Sequence, residues 1–189
     1  MTPKSMSMNH RLLAVDVRPQ RLGYAVLETP AQLLDFGGTR VDSPHASLRR
    51  VNALVTRHSP TIVVFRKIGP RSTRNRPLTK AIIRLISQWA RHCSIPVAVV
   101  SDRHMKVSLG GDQVITKNQI ASLLASAFPE LAWRLPQPRK PWQPEVWNMM
   151  IFDALALGMS YLASQHDESV IQKLAVARRV LSPVPRWRS

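Results

Sequence analysis

The segment from Val146 to Ala163 admits few placements. Its residues, Val-Trp-Asn-Met-Met-Ile-Phe-Asp-Ala-Leu-Ala-Leu-Gly-Met-Ser-Tyr-Leu-Ala, are apolar on every side, and Asp153 is the lone charge among them. A helix that is hydrophobic all round belongs inside a protein. An ionised carboxylate carried in with it is costly unless a cation or strong donors meet it. A positive group must therefore face Asp153. Asp16 poses the same problem in the run Leu12-Leu13-Ala14-Val15-Asp16-Val17, whose length and branched residues indicate a central strand. Two acids carried inward by two apolar elements predict one shared site.

The order of elements around these two follows from turn and breaker residues. Residues 11 to 17, Leu22 to Glu28 and Gln32 to Gly37 read as three short strands, separated by Arg18-Pro19-Gln20-Arg21 and by Thr29-Pro30. Such short connections make an antiparallel meander. A helix from about Ala46 to Arg57 follows and ends at Ser59-Pro60. Thr61 to Phe65 is a buried strand, and Lys67 to Arg76 an exposed basic loop. Pro77 then opens a helix that runs towards Cys93, and Ile95 to Val100 is the next strand. After the Gly110-Gly111 break, Thr116 caps a helix from Lys117 to Phe128. A proline-rich connector from Leu135 to Glu145 delivers the chain to the Asp153 helix, and a last helix is expected from Glu168 to Leu181 before a basic tail containing Trp187. This organisation predicts a flexible terminus over 1–10, one α/β domain over 11–163, and an appended helix and tail over 164–189.

Charge narrows the partner. The 189 residues carry 27 Lys and Arg against 11 Asp and Glu, a formal charge of +16. From Ser43 to Ser101 there is no acid at all, while Arg66, Lys67, Arg71, Arg74, Arg76 and Lys80 fall in that window. Such a cationic stretch points to a polyanion, with nucleic acid first. The start of the chain has no apolar signal core, and no long uncharged apolar run occurs, so a soluble, cytoplasmic protein is expected. Cys93 is the only cysteine, which leaves no intrachain disulfide and no multi-cysteine zinc site. His58, His92 and His104 show no ligand spacing and read as surface or cap residues.

Three antiparallel strands followed by alternating helices and strands, with one acid on the first strand and another on a late helix, is the layout of the RNase H-like superfamily. Within it the chain resembles the RuvC family of Holliday-junction resolvases. Leu13-Ala14-Val15-Asp16-Val17-Arg18 with Gly23-Tyr24-Ala25-Val26 is similar to that family's opening strands. His104-Met105-Lys106-Val107, Gly110-Gly111 and Lys117-Asn118-Gln119-Ile120 resemble its lysine-rich stretch, glycine turn and next helix start, and Phe152-Asp153-Ala154-Leu155-Ala156-Leu157 its terminal helix. The resemblance implies a mixed five-stranded sheet and binding of branched or double-stranded DNA. It also implies a metal-dependent endonuclease chemistry with Mg²⁺ or Mn²⁺, and a possible homodimer. RNA or a ribosomal partner is the alternative polymer.

The pattern is incomplete. The family's second acid falls here at Phe65 or Arg66, and the acid three residues before its last Asp falls at Met150. Two Mg²⁺ ions about 4 Å apart need several carboxylates. Asp16 and Asp153 are the candidate metal ligands and catalytic acids, and Glu145, roughly two turns upstream of Asp153, is the spare. The competing structural reading places the Arg66 guanidinium between the two aspartates as a buried ion pair. Candidate nucleic-acid contacts are Arg66, Lys67, Arg71, Arg74, Arg76, Lys80, Lys106, Lys117, Arg139 and Lys140, with Trp142 and Trp147 as stacking candidates beside the last two.

Overall fold

A computed structural model describes residues 10–29, 31–69, 76–111, 115–137 and 146–181. The strands are β1 (Arg11–Arg18), β2 (Arg21–Glu28), β3 (Gln32–Arg40), β4 (Ile62–Arg66) and β5 (Val97–Val100). The helices are α1 (Pro44–His58), α2 (Pro77–His92), α3 (Asp102–Gly110), α4 (Lys117–Ala127), α5 (Met149–Ser164) and α6 (Glu168–Leu181), with a 3₁₀ helix over Pro129–Arg134. The strands form one sheet in the order β3-β2-β1-β4-β5. The first three are antiparallel, and β1, β4 and β5 run parallel, so this is the mixed α/β sheet expected.

Strand β1 lies at the centre and is buried on both faces. Period-two alternation sends Leu13, Val15 and Val17 towards one core, which α1 and α2 cover through Val51, Leu54, Ile82 and Ile86. Leu12 and Ala14 face the other core, built around α5 with α3, α4 and α6. Asp16 and Arg18 continue the Leu12 and Ala14 row and therefore point at α5. On β4 the same rule puts Val64 on the α5 side and carries Arg66 there.

Helix α5 is buried from Met149 through Ser160. It approaches the sheet so closely that a Cβ on Gly23 would lie 2.3 Å from the Met150 carbonyl oxygen. Helix α6 packs against α4, adding Val170, Leu174 and Ala177 to the core, and its Arg178 donates to the carbonyls of Ser108 and Leu109 at the end of α3.

Several boundaries differ from expectation. Strand β3 continues beyond Gly37 because Gly38, Thr39 and Arg40 stay paired with Gly23, Leu22 and Arg21. Strand β5 starts at Val97, not Ile95, since Pro96 has no N–H to give a ladder and serves only as acceptor for Val63. Helix α3 is additional to the expected elements; Ser101 caps it, and Met105 and Leu109, one turn apart, anchor it. The 3₁₀ helix is likewise additional, and α4 stops at Ala127, one residue short of the expected Phe128. Thr116 does cap α4, in a reciprocal box with Gln119. Among the described residues no helix is long and apolar enough to cross a membrane.

Candidate functional site

Asp16 and Asp153 converge. Val15 pairs with Phe65 near the end of the parallel ladder between β1 and β4, so the next step sets Arg66 beside Asp16. Across the antiparallel pair Asp16 stands opposite Gly23, and Met150 presses on Gly23. Asp153 is three residues further along α5, one turn on. The missing side chain at Gly23 thus brings the Asp153 carboxylate down to the level of Asp16.

Cations occupy the space between the two acids. Arg18 donates from Nε to Asp16 Oδ2 at 2.7 Å and from Nη2 to Asp153 Oδ2 at 2.5 Å. Arg66 approaches from β4, with Nε 3.4 Å from Asp16 Oδ1 and Nη2 3.1 Å from Asp153 Oδ1. Its Nη1 donates to Asp102 Oδ1 at the start of α3. Lys117, the first residue of α4, donates to Asp153 Oδ2 at 2.8 Å. Every carboxylate oxygen of Asp16 and Asp153 therefore faces a cationic nitrogen. Three acids, Asp16, Asp153 and Asp102, meet three cations, Arg18, Arg66 and Lys117.

The burial of these groups is uneven. Arg66 is only 4% exposed, whereas the Lys117 side chain is 36% exposed. Burial is the largest influence on Arg66 and works against its charge, but Asp16, Asp153 and Asp102 together outweigh it and hold its pKa above the ordinary arginine value. The guanidinium stays charged under all ordinary conditions.

Such a centre does not fit a divalent ion. Mg²⁺ needs carboxylate oxygens turned towards open space, with room for its waters. Here Asp16 Oδ2 and Asp153 Oδ2 already accept hydrogen bonds from Arg18 and Lys117, Arg66 lies within 3.4 Å of the other two oxygens, and a dication placed among them would meet two arginines at close range. Among the described residues no cluster of three or more His, Cys, Asp or Glu side chains is arranged to hold a metal. Glu145, the spare acid of the sequence, lies outside the described residues.

The other candidates separate into groups. Lys67, Arg76, Lys80 and Lys106 are exposed. Lys67 follows β4, Arg76 and Lys80 lie at the start of α2, and Lys106 is on α3 after β5, so they leave the sheet at or near the strand ends that carry Arg66. Arg66 itself is a correction: it is held inside the acid pair and has no free surface for phosphate. Arg71, Arg74, Arg139, Lys140 and Trp142 lie outside the described residues. His92 and His104 are exposed, but His58 is not a surface group. Its Nε2 lies 2.9 Å from Asp35 Oδ2 with the imidazole 12% exposed, and it ties the end of α1 to β3.

Sequence reasoning misses Arg18 and Asp102. Arg18 carries a signal: two residues beyond Asp16 on a strand, it shares the same face. Asp102 has a weaker one, as the first acid after the long cationic window.

Comparison with solved structures bears on the whole arrangement. Thermus thermophilus RuvC matches with a TM-score of 0.62 at 16% identity, over 83% of this chain and 97% of that one. The same protein in complex with a Holliday junction substrate matches with a TM-score of 0.61 at 16% identity, over 84% and 97%. The yeast mitochondrial Holliday junction resolvase matches with a TM-score of 0.59 at 9% identity, over 92% and 85%. The fold is that of the RuvC resolvases. At these identities the likeness reaches the architecture and not the chemistry. No protein-family model and no curated protein matches the sequence. Within the RuvC fold, this chain has a carboxylate pair neutralised by its own arginines.

Proposed function

We propose that this protein binds branched or double-stranded DNA without cutting it, and that its aspartate centre is a structural ion-pair clasp. The observation that carries the proposal is Arg18, whose one guanidinium bonds both Asp16 and Asp153. Hydrolysis of a phosphodiester by metal ions requires those carboxylates for the metals. A side chain tethered two residues from Asp16 competes for those oxygens intramolecularly, at an effective concentration on the order of mM that does not fall on dilution.

The binding half of the proposal is supported by charge and position. Lys67, Arg76, Lys80 and Lys106 stand near the carboxyl ends of β4 and β5, the side of an open α/β sheet where ligands usually sit. The formal charge of +16 supplies the long-range attraction. The RuvC of Thermus thermophilus, which shares the fold, is known in complex with a Holliday junction substrate.

The test uses a labelled four-way junction with wild-type protein and with Asp16→Asn, in chelator and in Mn²⁺. The expected result is salt-sensitive binding that is the same in chelator and in Mn²⁺, with no cleavage by either protein. Mn²⁺-dependent cleavage by wild type, lost in Asp16→Asn, would establish an active endonuclease instead. Competition favouring duplex RNA over the junction would move the partner assignment to RNA.

A further inference from the structure

Apart from the aspartate centre, the surface holds a second concentration of unusual residues, where the 3₁₀ helix meets the start of α5. Trp133 is 70% exposed, a large apolar area to leave in water. The Arg134 guanidinium lies over its ring, 3.9 Å from the centroid. Among the described residues no carboxylate pairs with Arg134, and its Nε is buried without a hydrogen-bond partner. Asn148 donates to the Arg134 carbonyl at 3.2 Å, which ties this turn to the foot of α5. Next to Asn148, Trp147 carries Arg21 over its ring at 5.0 Å. Arg21 is directly opposite Arg40 on β3, and like charges facing each other across strands oppose folding unless an anion offsets them.

We propose that this surface is a stacking platform for an unpaired DNA base, which lies on the open face of the Trp133 indole while Arg21 and Arg40 hold the flanking phosphates. Three features point to that one occupant. An indole held from behind by a guanidinium presents a flat, fixed face of the kind on which bases stack. Among the described residues Arg21, Arg40 and Arg134 form no ion pair with an acid, which suits a polyanion and disfavours a hydrophobic protein surface. Arg21 is on β2, opposite Arg18 of β1, and Arg40 is on β3, one strand further out at the same end of the sheet, so a strand of DNA leaving the centre across that end meets them in turn. The platform rests on the DNA-binding reading and gives it a preference: open or unpaired segments over fully paired ones.

The experiment compares three DNAs of equal length: a plain duplex, a duplex with a short unpaired bulge, and the same bulge built from abasic sites. Each is titrated by anisotropy against wild type, Trp133→Ala and Trp133→Phe. Wild type should bind the bulge about tenfold more tightly than the abasic form, in line with the stacking of a single base. Trp133→Ala should erase that ratio while leaving plain-duplex affinity intact, and Trp133→Phe should keep most of it. An unchanged ratio in Trp133→Ala overturns the platform, as does self-association of wild type that disappears in Trp133→Ala. Failure of the plain duplex to bind at all would instead remove the DNA-binding reading beneath it.

Discussion

Gly23 and Met150 are in backbone contact, and no side chain fits between them. That contact fixes the height of α5 above the sheet. A larger residue at Gly23 has to lift the first turn of α5, and with it the Asp153 carboxylate.

Gly23→Ala should therefore destabilise the protein by about 3 kcal/mol, the upper end for overpacking, since the obstructing atom is backbone and cannot rotate away. Urea denaturation followed by circular dichroism measures this. A change below about 0.5 kcal/mol, the range of neutral surface substitutions, would show that α5 is not seated by this contact.

Asp153→Asn should cost about 3–5 kcal/mol, because Arg18 would be left buried with one of its two carboxylates and Arg66 with two of its three. The sign discriminates. In a carboxylate cluster awaiting metal, neutralising one acid relieves repulsion and raises stability in chelator. Here the midpoint of unfolding in chelator should fall, and adding Mg²⁺ to wild type should leave it unmoved.

Replacing Lys67, Arg76, Lys80 and Lys106 together by glutamine should weaken DNA binding across sequences and flatten its salt dependence, by about 0.9 in the log–log slope for each phosphate no longer neutralised. Lys117→Gln should behave differently. Its ammonium is engaged by Asp153, so its removal should lower stability more than affinity. Binding isotherms over a salt series separate the two behaviours.

Burial raises the pKa of the Tyr24 phenol above its usual value, and the neighbouring Asp35 adds to the rise against the opposing Arg50. The folded state thus favours the protonated phenol, and its contribution to stability is complete below the unfolded pKa near 10.0. As pH climbs from there towards the folded pKa, the unfolded chain ionises first, and that contribution is lost. Tyr24→Phe should flatten the stability profile over this alkaline range, and phenolate absorbance should show one tyrosine titrating late. A profile of equal slope in the variant would contradict it.

Much of this structure can be read in the chain because its strongest signals are local. The apolar runs around Asp16 and Asp153 identify the central strand and the buried helix, and their acids must share cations wherever they meet. Thr116 and Gln119 mark the start of α4 within four residues of sequence. What resists reading depends on distant pairing. Pro19 and Gln20 suggest that Arg18 belongs to a turn, yet pairing with Arg21 keeps it in the strand and on the Asp16 face. Gly37-Gly38 looks like the end of β3 until β2 is beside it. The His58 and Asp35 pair joins a helix end to a strand 23 residues away and leaves no periodic trace. Helix α3 rests on two apolar anchors, Met105 and Leu109, too few to declare a period.

Dependence within the aspartate centre runs in both directions. Arg18 and Arg66 need the two acids as much as the acids need them, so loss of either carboxylate harms folding whether or not the chain severs anything. In proteins built this way, aspartates at these two places mark an intact interior. The capacity to cleave must be judged from the residues that stand where Arg18 and Arg66 do.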